Sequence, residues 1–162
     1  MKRRWILVFF AAAIVGSVLH FLYPALPIAL VSAFAPVNES VWEHLKLLFW
    51  PQLAASFILM RPYADKRRGW GAMLSGLLAA PAILLGAYYT LLSGFGVHTL
   101  ALDIALYLLS MAAGFVLAHH LLRAPALARV CGPLVIAAGL YGAALVLFTF
   151  APPDLPIFLS AS

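Results

Sequence analysis

The run CGPLVIAAGLYGAALVLFTF, residues 131–150, contains no charged residue. A helix of that length extends about 30 Å, which is the thickness of the hydrocarbon core of a bilayer. Four similar apolar runs precede it, at residues 5–22, 41–60, 70–92 and 97–122. The chain is 65% hydrophobic and only 9% charged, whereas soluble domains carry about 25% charged residues. The sequence predicts an all-α integral membrane bundle of five transmembrane helices, with residues 1–162 as a single domain.

The lysines and arginines indicate how this bundle is oriented. Nine of the ten lie in three clusters, at residues 2–4, 61–68 and 123–129, and five spans bring all three clusters to one side. The positive-inside rule makes that side cytoplasmic, so we expect the N-terminus in the cytoplasm and the C-terminus outside. Because the net charge of +5 resides in these loops, we expect no nucleic-acid partner. The first run is longer than the apolar core of a usual signal peptide, so we expect it to be retained as a span.

Residues 23–37 are apolar but are interrupted by Pro24, Pro27 and Pro36. About ten residues between prolines cannot cross a bilayer as a helix, and proline removes backbone donors. We interpret this stretch as a re-entrant or interfacial segment on the outer side. An ordinary apolar loop is the alternative interpretation.

Ionisable side chains gather near the predicted outer face. We take Arg4, Arg61 and Arg123 as the inner boundary of their spans. By the helical rise, His20 then stands about 24 Å, Glu43 about 27 Å and Asp103 about 30 Å above it. Three helices can therefore bring acids and imidazoles to one level. Ionisable groups inside spans are costly and usually mark a site or a pathway.

The densest polar segment is NESVWEHLK, residues 38–46, at the start of the second run. Part of it has a structural explanation, because Ser40 and Glu43 have the spacing of a capping box and Glu43 can pair with Lys46 at i, i+3. Capping does not account for the remaining polar residues at membrane depth. We therefore predict a functional site here, to which Asn38, Ser40, Trp42 and Lys46 also contribute.

Carboxylate and imidazole side chains in this arrangement are potential ligands of a divalent metal ion. On a continuous helix Glu39 and Glu43 share one face, and we predict both as metal ligands with His44 and His20. Without a metal, Glu43, His44 and Asp103 are the predicted acid–base residues of a catalytic site. His98 is expected at the membrane interface. The spacing matches no established metal motif, so the cofactor is open.

The segments HFLY at residues 20–23 and PVNESVWEHLK at residues 36–46 carry a resemblance that continues at YYT, LDI and FTFAPP, residues 88–90, 102–104 and 148–153. They resemble a family of small bacterial multi-pass membrane proteins catalogued as a domain of unknown function. The resemblance implies a bacterial inner membrane protein and supplies no activity. It includes the same polar positions that the depth estimate selects.

Three functions remain open from the sequence. The first is a metal-binding intramembrane enzyme that acts at the outer leaflet on a lipid or small amphipathic ligand, with membrane lipids as its surroundings. The second is a transporter or channel that uses the same acids and histidines as a cation or proton site. The third is a non-catalytic accessory protein whose polar segment docks a partner. The oligomeric state is open as well.

Overall fold

The computed structural model describes residues 3–97 and 99–160, with the backbone alone at residue 93, so His98 lies outside the described residues. This part of the chain is all-helical, as predicted, and contains no β-strand beyond an isolated bridge between Ser40 and Ser160. Its helices are α1 (Arg3–His20), α2 (Leu22–Ala25), α3 (Ala29–Ser32), α4 (Val41–Met60), α5 (Lys66–Tyr89), α6 (Leu100–Leu121) and α7 (Leu127–Phe150). A π-helical segment, Thr90–Gly94, continues α5, and a 3-10 turn, Pro156–Phe158, follows α7.

The five long helices, α1 and α4 to α7, lie on the five apolar runs of the sequence. Within the described residues, four helical segments are long and apolar enough to cross a membrane by length and composition: Arg3–His20, Lys66–Leu92, Leu100–Leu121 and Leu127–Phe150. These segments suggest a membrane protein. Helix α4 has a comparable length of 20 residues and contains Glu43, Lys46 and Gln52, and it is not among these four segments.

Side-chain caps explain where three of the long helices begin. Ser40 accepts a hydrogen bond from the Glu43 amide at the start of α4, and Asp65 accepts one from the Arg68 amide at the start of α5. Thr99 caps α6 in the same way. Each cap satisfies an amide that has no partner inside its own helix.

Helix α5 lies at the centre of the bundle and packs against α4, α6 and α7, while α1 packs against α4 and α6. The interior is built from large apolar side chains of the middle helices, and the outward faces are also apolar. Leu140 on α7 is 68% exposed and Ile14 on α1 is 63% exposed. The core includes Leu45, Leu48, Phe49, Leu59, Met73, Leu77, Met111, Phe115 and Leu145.

Two glycines allow α5 and α6 to approach each other closely. A Cβ added at Gly76 of α5 would overlap the carbonyl oxygen of Gly114 on α6, and one at Gly114 would lie 2.7 Å from Gln52 Nε2. Small residues of this kind let helix backbones approach each other in a membrane. The α5–α6 contact therefore depends on the absence of both side chains.

The basic loops meet at one end of the bundle. The Arg4 guanidinium donates to the Ile58 carbonyl, and Lys66 Nζ donates to the carbonyls of Met60 and Arg61 at 2.8 and 2.9 Å. Cations near the last carbonyls of a helix are stabilised by its dipole. The start of α1, the end of α4 and the start of α5 thus share one end, and the residues 38–46 lie at the other.

Candidate metal site and the adjacent ion pair

Three side chains with metal-ligating atoms meet where α1 ends and α4 begins. They are His20 from the last turn of α1, Glu39 from the segment before α4, and His44 from the first turn of α4. One ligand atom from each lies within 4.8 Å of the other two. We call these three residues the His–Glu cluster. Among the described residues, this is the group of three or more acids, histidines or cysteines whose ligand atoms come this close together.

The two imidazoles lie on either side of the carboxylate. Glu39 Oε2 is 3.4 Å from His44 Nε2, and Glu39 Oε1 is 4.0 Å from His20 Nε2. The two rings lie 5.3 Å apart between centroids. The side chains of His20 and His44 are 30% and 31% exposed, and that of Glu39 is 67% exposed. The His–Glu cluster is therefore open to the outside on the Glu39 side.

The Ser40 carbonyl determines which nitrogen of His44 faces Glu39. His44 Nδ1 lies 2.8 Å from this oxygen, and a carbonyl oxygen can only accept, so Nδ1 carries a hydrogen. In the neutral ring Nε2 is then an unprotonated acceptor. It faces a carboxylate oxygen, which is also an acceptor. A proton on Nε2, or a cation between the two atoms, is needed to make this contact favourable.

The distances suit a small metal ion. Zinc is bound by histidine nitrogen and carboxylate oxygen at 2.0–2.2 Å, and tetrahedral ligands at these bond lengths lie about 3.4 Å apart. Each imidazole nitrogen lies 3.4 or 4.0 Å from one of the two Glu39 oxygens, and one ligand atom from each residue lies within 4.8 Å of the other two, so binding one ion would require the side chains to move closer together. The bond from His44 Nδ1 to a backbone carbonyl is also the kind of contact that orients metal-ligating histidines. Two imidazoles and one carboxylate are ligand types that Zn²⁺ accepts.

Glu43 belongs to a different environment, although it is adjacent to His44 in the chain. Its side chain is 3% exposed, and Oε2 lies 2.6 Å from Lys46 Nζ. Thr149 of α7 donates to Glu43 Oε1 at 2.9 Å and lies 2.5 Å from Lys46 Nζ. The predicted pairing of Glu43 with Lys46 is thus confirmed. We call Glu43, Lys46 and Thr149 the buried triad.

The buried triad also holds the proline-interrupted segment. Lys46 Nζ donates to the carbonyl of Ser32 at 2.7 Å and to that of Ala35 at 3.4 Å, and the Val37 amide donates to Glu43 Oε2 at 3.0 Å. Every charge of this pair therefore meets protein partners, as a buried charge requires. The triad ties residues 32–37 to α4 and α7.

Three further residues of the polar segment have local structural roles. Asn38 Oδ1 accepts from the Ser40 amide at 2.9 Å, and the Ser40 hydroxyl accepts from the Glu43 amide at 3.3 Å. The cap predicted for Ser40 is confirmed, but the reciprocal bond of a capping box is absent because Glu43 turns to Lys46 and Val37. Trp42 packs its ring 4.9 Å from Phe158 and 5.5 Å from Phe148.

The structure does not unite all the residues that the sequence selected as site residues. Helix α4 begins at Val41, so Glu39 precedes the helix and does not share a face with Glu43. Asp103 lies in the first turn of α6. Neither Glu43 nor Asp103 belongs to the His–Glu cluster. Their acid–base roles stay predictions.

Sequence reasoning missed Thr149 as a polar partner. A lone threonine in an apolar helix commonly bonds to its own backbone, and the Thr149 hydroxyl also lies 2.9 Å from the Leu145 carbonyl. Its neighbours on α4 are more than one hundred residues away in the chain. A single sequence does not indicate which residues so far apart along the chain come into contact.

The whole chain, residues 1–162, matches the model of a family of unknown function, DUF6512. The protein belongs to this family. The sequence resemblance also pointed to a family without a known function, and to that extent the two findings agree. Comparison with curated proteins and with solved structures gave no match. The family brings no activity, so function must be inferred from the sites themselves.

Proposed function

We propose that this protein is a five-span membrane protein that binds a divalent transition-metal ion, best fitted by Zn²⁺, through His20, Glu39 and His44. We further propose that the ion serves hydrolytic chemistry at the outer membrane face, on a lipid or another amphipathic substrate. The observation that carries the proposal is the convergence of three ligand atoms within 4.8 Å at a partly exposed position.

The apolar outer faces and the charge distribution support the membrane assignment. Exposed side chains such as Ile14, Ile136 and Leu140 are favourable against lipid and unfavourable against water. The basic loops share one end, which the positive-inside rule assigns to the cytoplasm, and the His–Glu cluster is at the other. With the family resemblance, these features favour the cytoplasmic membrane of a bacterium.

Backbone contacts support a re-entrant path for the proline-interrupted segment. The Ala33 carbonyl accepts from Trp50 Nε1 at 3.1 Å, and Phe34 packs its ring 4.9 Å from that of Trp50. Along the axis of α4, Trp50 lies about 15 Å from the N-cap residue Ser40. If α4 is a span, this segment descends beside it. Lys46 and Trp50 then satisfy carbonyls that lipid cannot.

The exposure of the His–Glu cluster on the Glu39 side favours a catalytic metal site over a purely structural one. Catalytic zinc ions usually have three protein ligands and keep one position for water or substrate, whereas structural sites have four. The exposed side of Glu39 leaves room for that fourth position. A metal there would supply an activated water and polarise a substrate oxygen. Residues of the chain would hold the ion, with Ser40 orienting His44.

A transport pathway, the second function considered from the sequence, receives less support. Ser56 and Ser75 donate to the carbonyls of Gln52 and Gly71 in their own helices. Their hydroxyls are therefore engaged in the way that is usual for serine in membrane helices. They do not extend the polar cluster toward the other end.

The metal proposal is tested by zinc analysis of the detergent-purified protein and of His20→Ala and His44→Ala variants. We expect one zinc per chain in the parent and loss of zinc in both variants. His120→Ala and Asp103→Asn are matched controls that should retain it. Zinc-free parent protein after supplementation, or equal zinc in all five proteins, would refute the metal site.

The hydrolytic part needs a separate assay with zinc-loaded protein in micelles and a fluorogenic phospholipid ester as the probe. We expect turnover that falls to background in His44→Ala and persists in His120→Ala. Zinc binding with no turnover on phospholipid, lysolipid and short-chain ester probes would leave a metal-binding protein without the proposed chemistry.

Topology is tested with single cysteines introduced at Ala64 and Ser160 in a Cys131→Ser background. Both positions are exposed. In intact cells a membrane-impermeant maleimide should label the cysteine at 160 and not the one at 64. The opposite pattern, or equal labelling, would contradict an outer location of the His–Glu cluster.

A further inference from the structure

Apart from the His–Glu cluster, the bundle has a groove on its flank, between α4, α5 and α7. It has a volume of about 620 Å³, within the size range of ligand pockets. Its walls are mostly aromatic and aliphatic, with small residues on α7 that leave space. They include Phe49 and Phe57 of α4, Trp70 of α5, and Ala138, Gly139 and Gly142 of α7.

The groove has one polar end. Lys66 and Arg67, the first residues of α5, line it together with Trp70. On α7 the lining runs from Cys131 to Val146, about 22 Å by helical rise. This exceeds the ~15 Å depth of one leaflet of a bilayer core. The groove therefore combines an apolar channel of acyl-chain length with two cations at its mouth.

The cations are available to an anion. Lys66 Nζ uses two of its three donors on the carbonyls of Met60 and Arg61, which hold the ammonium in place and leave one N–H. Asp65, the one acid in the loop, lies 3.6 Å from Arg68 Nε and caps the Arg68 amide. The nearby acid is thus engaged by Arg68, and Lys66 and Arg67 give the mouth a net positive charge.

We propose that this groove is a binding site for an anionic glycerophospholipid, with one acyl chain between α4 and α7 and its phosphate at Lys66 and Arg67. Basic pockets between membrane helices on the cytoplasmic side recognise such head groups. A second copy of the chain fits less well, because an isologous contact here would bring the same cations of both copies together. The basic mouth of the site lies at the opposite end of the bundle from the His–Glu cluster, and the site does not depend on metal binding.

Two substitutions separate the two parts of the site. Arg67→Gln removes a head-group charge, and Arg123→Gln makes the same change in a residue outside the groove lining. Gly139→Leu fills the channel, and a Cβ there meets no atom within 4 Å, so the helix tolerates it. Gly86→Leu is its control, since Gly86 has equally open space and does not line the groove.

The experiment is native mass spectrometry of the detergent-purified full chain with phosphatidylglycerol or phosphatidylcholine of identical acyl chains. We expect preferential retention of phosphatidylglycerol. Its affinity should fall about fivefold in Arg67→Gln, the effect of one basic residue near anionic lipid. Gly139→Leu should weaken both lipids, while Arg123→Gln and Gly86→Leu should match the parent.

Equal retention of both lipids by the parent would overturn the proposal, as would equal losses in Arg67→Gln and Arg123→Gln. A lipid-free dimer that Gly139→Leu dissociates would assign the groove to a second copy instead. Circular dichroism and gel filtration establish that each variant is folded. If Gly139→Leu misfolds, the comparison of Arg67→Gln with Arg123→Gln decides the outcome alone.

Discussion

The His–Glu cluster and the buried triad each take two residues from the same short segment, 38–46, yet they differ in burial and in the partners of their carboxylates. Glu43 is 2% exposed, and its carboxylate is bound by Lys46, Thr149 and the Val37 amide. Glu39 has a side chain that is 67% exposed and faces two imidazoles. A carboxylate that the protein already satisfies stabilises the fold, and one that faces other acceptors is available to a cation.

The two groups also meet different parts of the bundle. The buried triad joins α4 to α7 and to residues 32–37, which precede α4. The His–Glu cluster joins α4 to α1. Adjacent residues of a helix point about 100° apart, so Glu43 and His44 necessarily face different neighbours. This comparison predicts that the triad controls stability and the cluster controls metal binding.

The largest effect is expected from Lys46→Met. It leaves Glu43 as an uncompensated buried charge, and breaking such a pair typically lowers the free energy of unfolding by about 3–5 kcal/mol. The measurement is unfolding of the micellar protein in a denaturing detergent, followed by circular dichroism. The double variant Glu43→Leu/Lys46→Met should be more stable than Lys46→Met, because no charge remains. A change below about 0.5 kcal/mol, the size of a surface substitution, would show that the triad does not stabilise the fold.

An intermediate effect is expected on zinc affinity in Glu39→Gln. Replacing a carboxylate ligand by an amide should weaken zinc binding by at least about tenfold, since even residues that only orient ligands contribute that much. Glu43→Gln should change the affinity little, provided the variant is folded. Titration calorimetry of both variants makes the comparison. A larger loss in Glu43→Gln would return Glu43 to the ligand set predicted from the sequence.

The smallest effect is expected from Ser40→Ala. Loss of its cap on the Glu43 amide should lower the free energy of unfolding by about 1 kcal/mol. Zinc affinity should be retained, because His44 is held by the backbone carbonyl of residue 40 rather than by its hydroxyl. Ser75→Ala, which removes a hydroxyl bonded to its own helix, is the control and should change stability by less than about 0.5 kcal/mol. Loss of zinc in Ser40→Ala alone would mean that the hydroxyl positions the cluster.

The positions of the long helices could be predicted from the sequence, because the length of an apolar run and the N-cap residue are local features of the chain. The α4 run at residues 41–60 and the cap at Ser40 show this. The His–Glu cluster was predicted only in part. His20, Glu39 and His44 were among the predicted residues, but the sequence did not separate them from Glu43. That separation depends on where α4 begins and on what lies beside each face.

The sequence by itself determined the helical character, the five apolar runs, and the separation of four of the five acids, together with His20 and His44, from the basic loops. These follow from composition and from interactions within a few residues. Only the tertiary structure decided that Thr149 and the carbonyls of residues 32 and 35 meet Lys46, while His20 meets Glu39. The reason is physical: a carboxylate acts as a structural anchor or as a free ligand according to its burial and partners. Those partners come from distant parts of the chain.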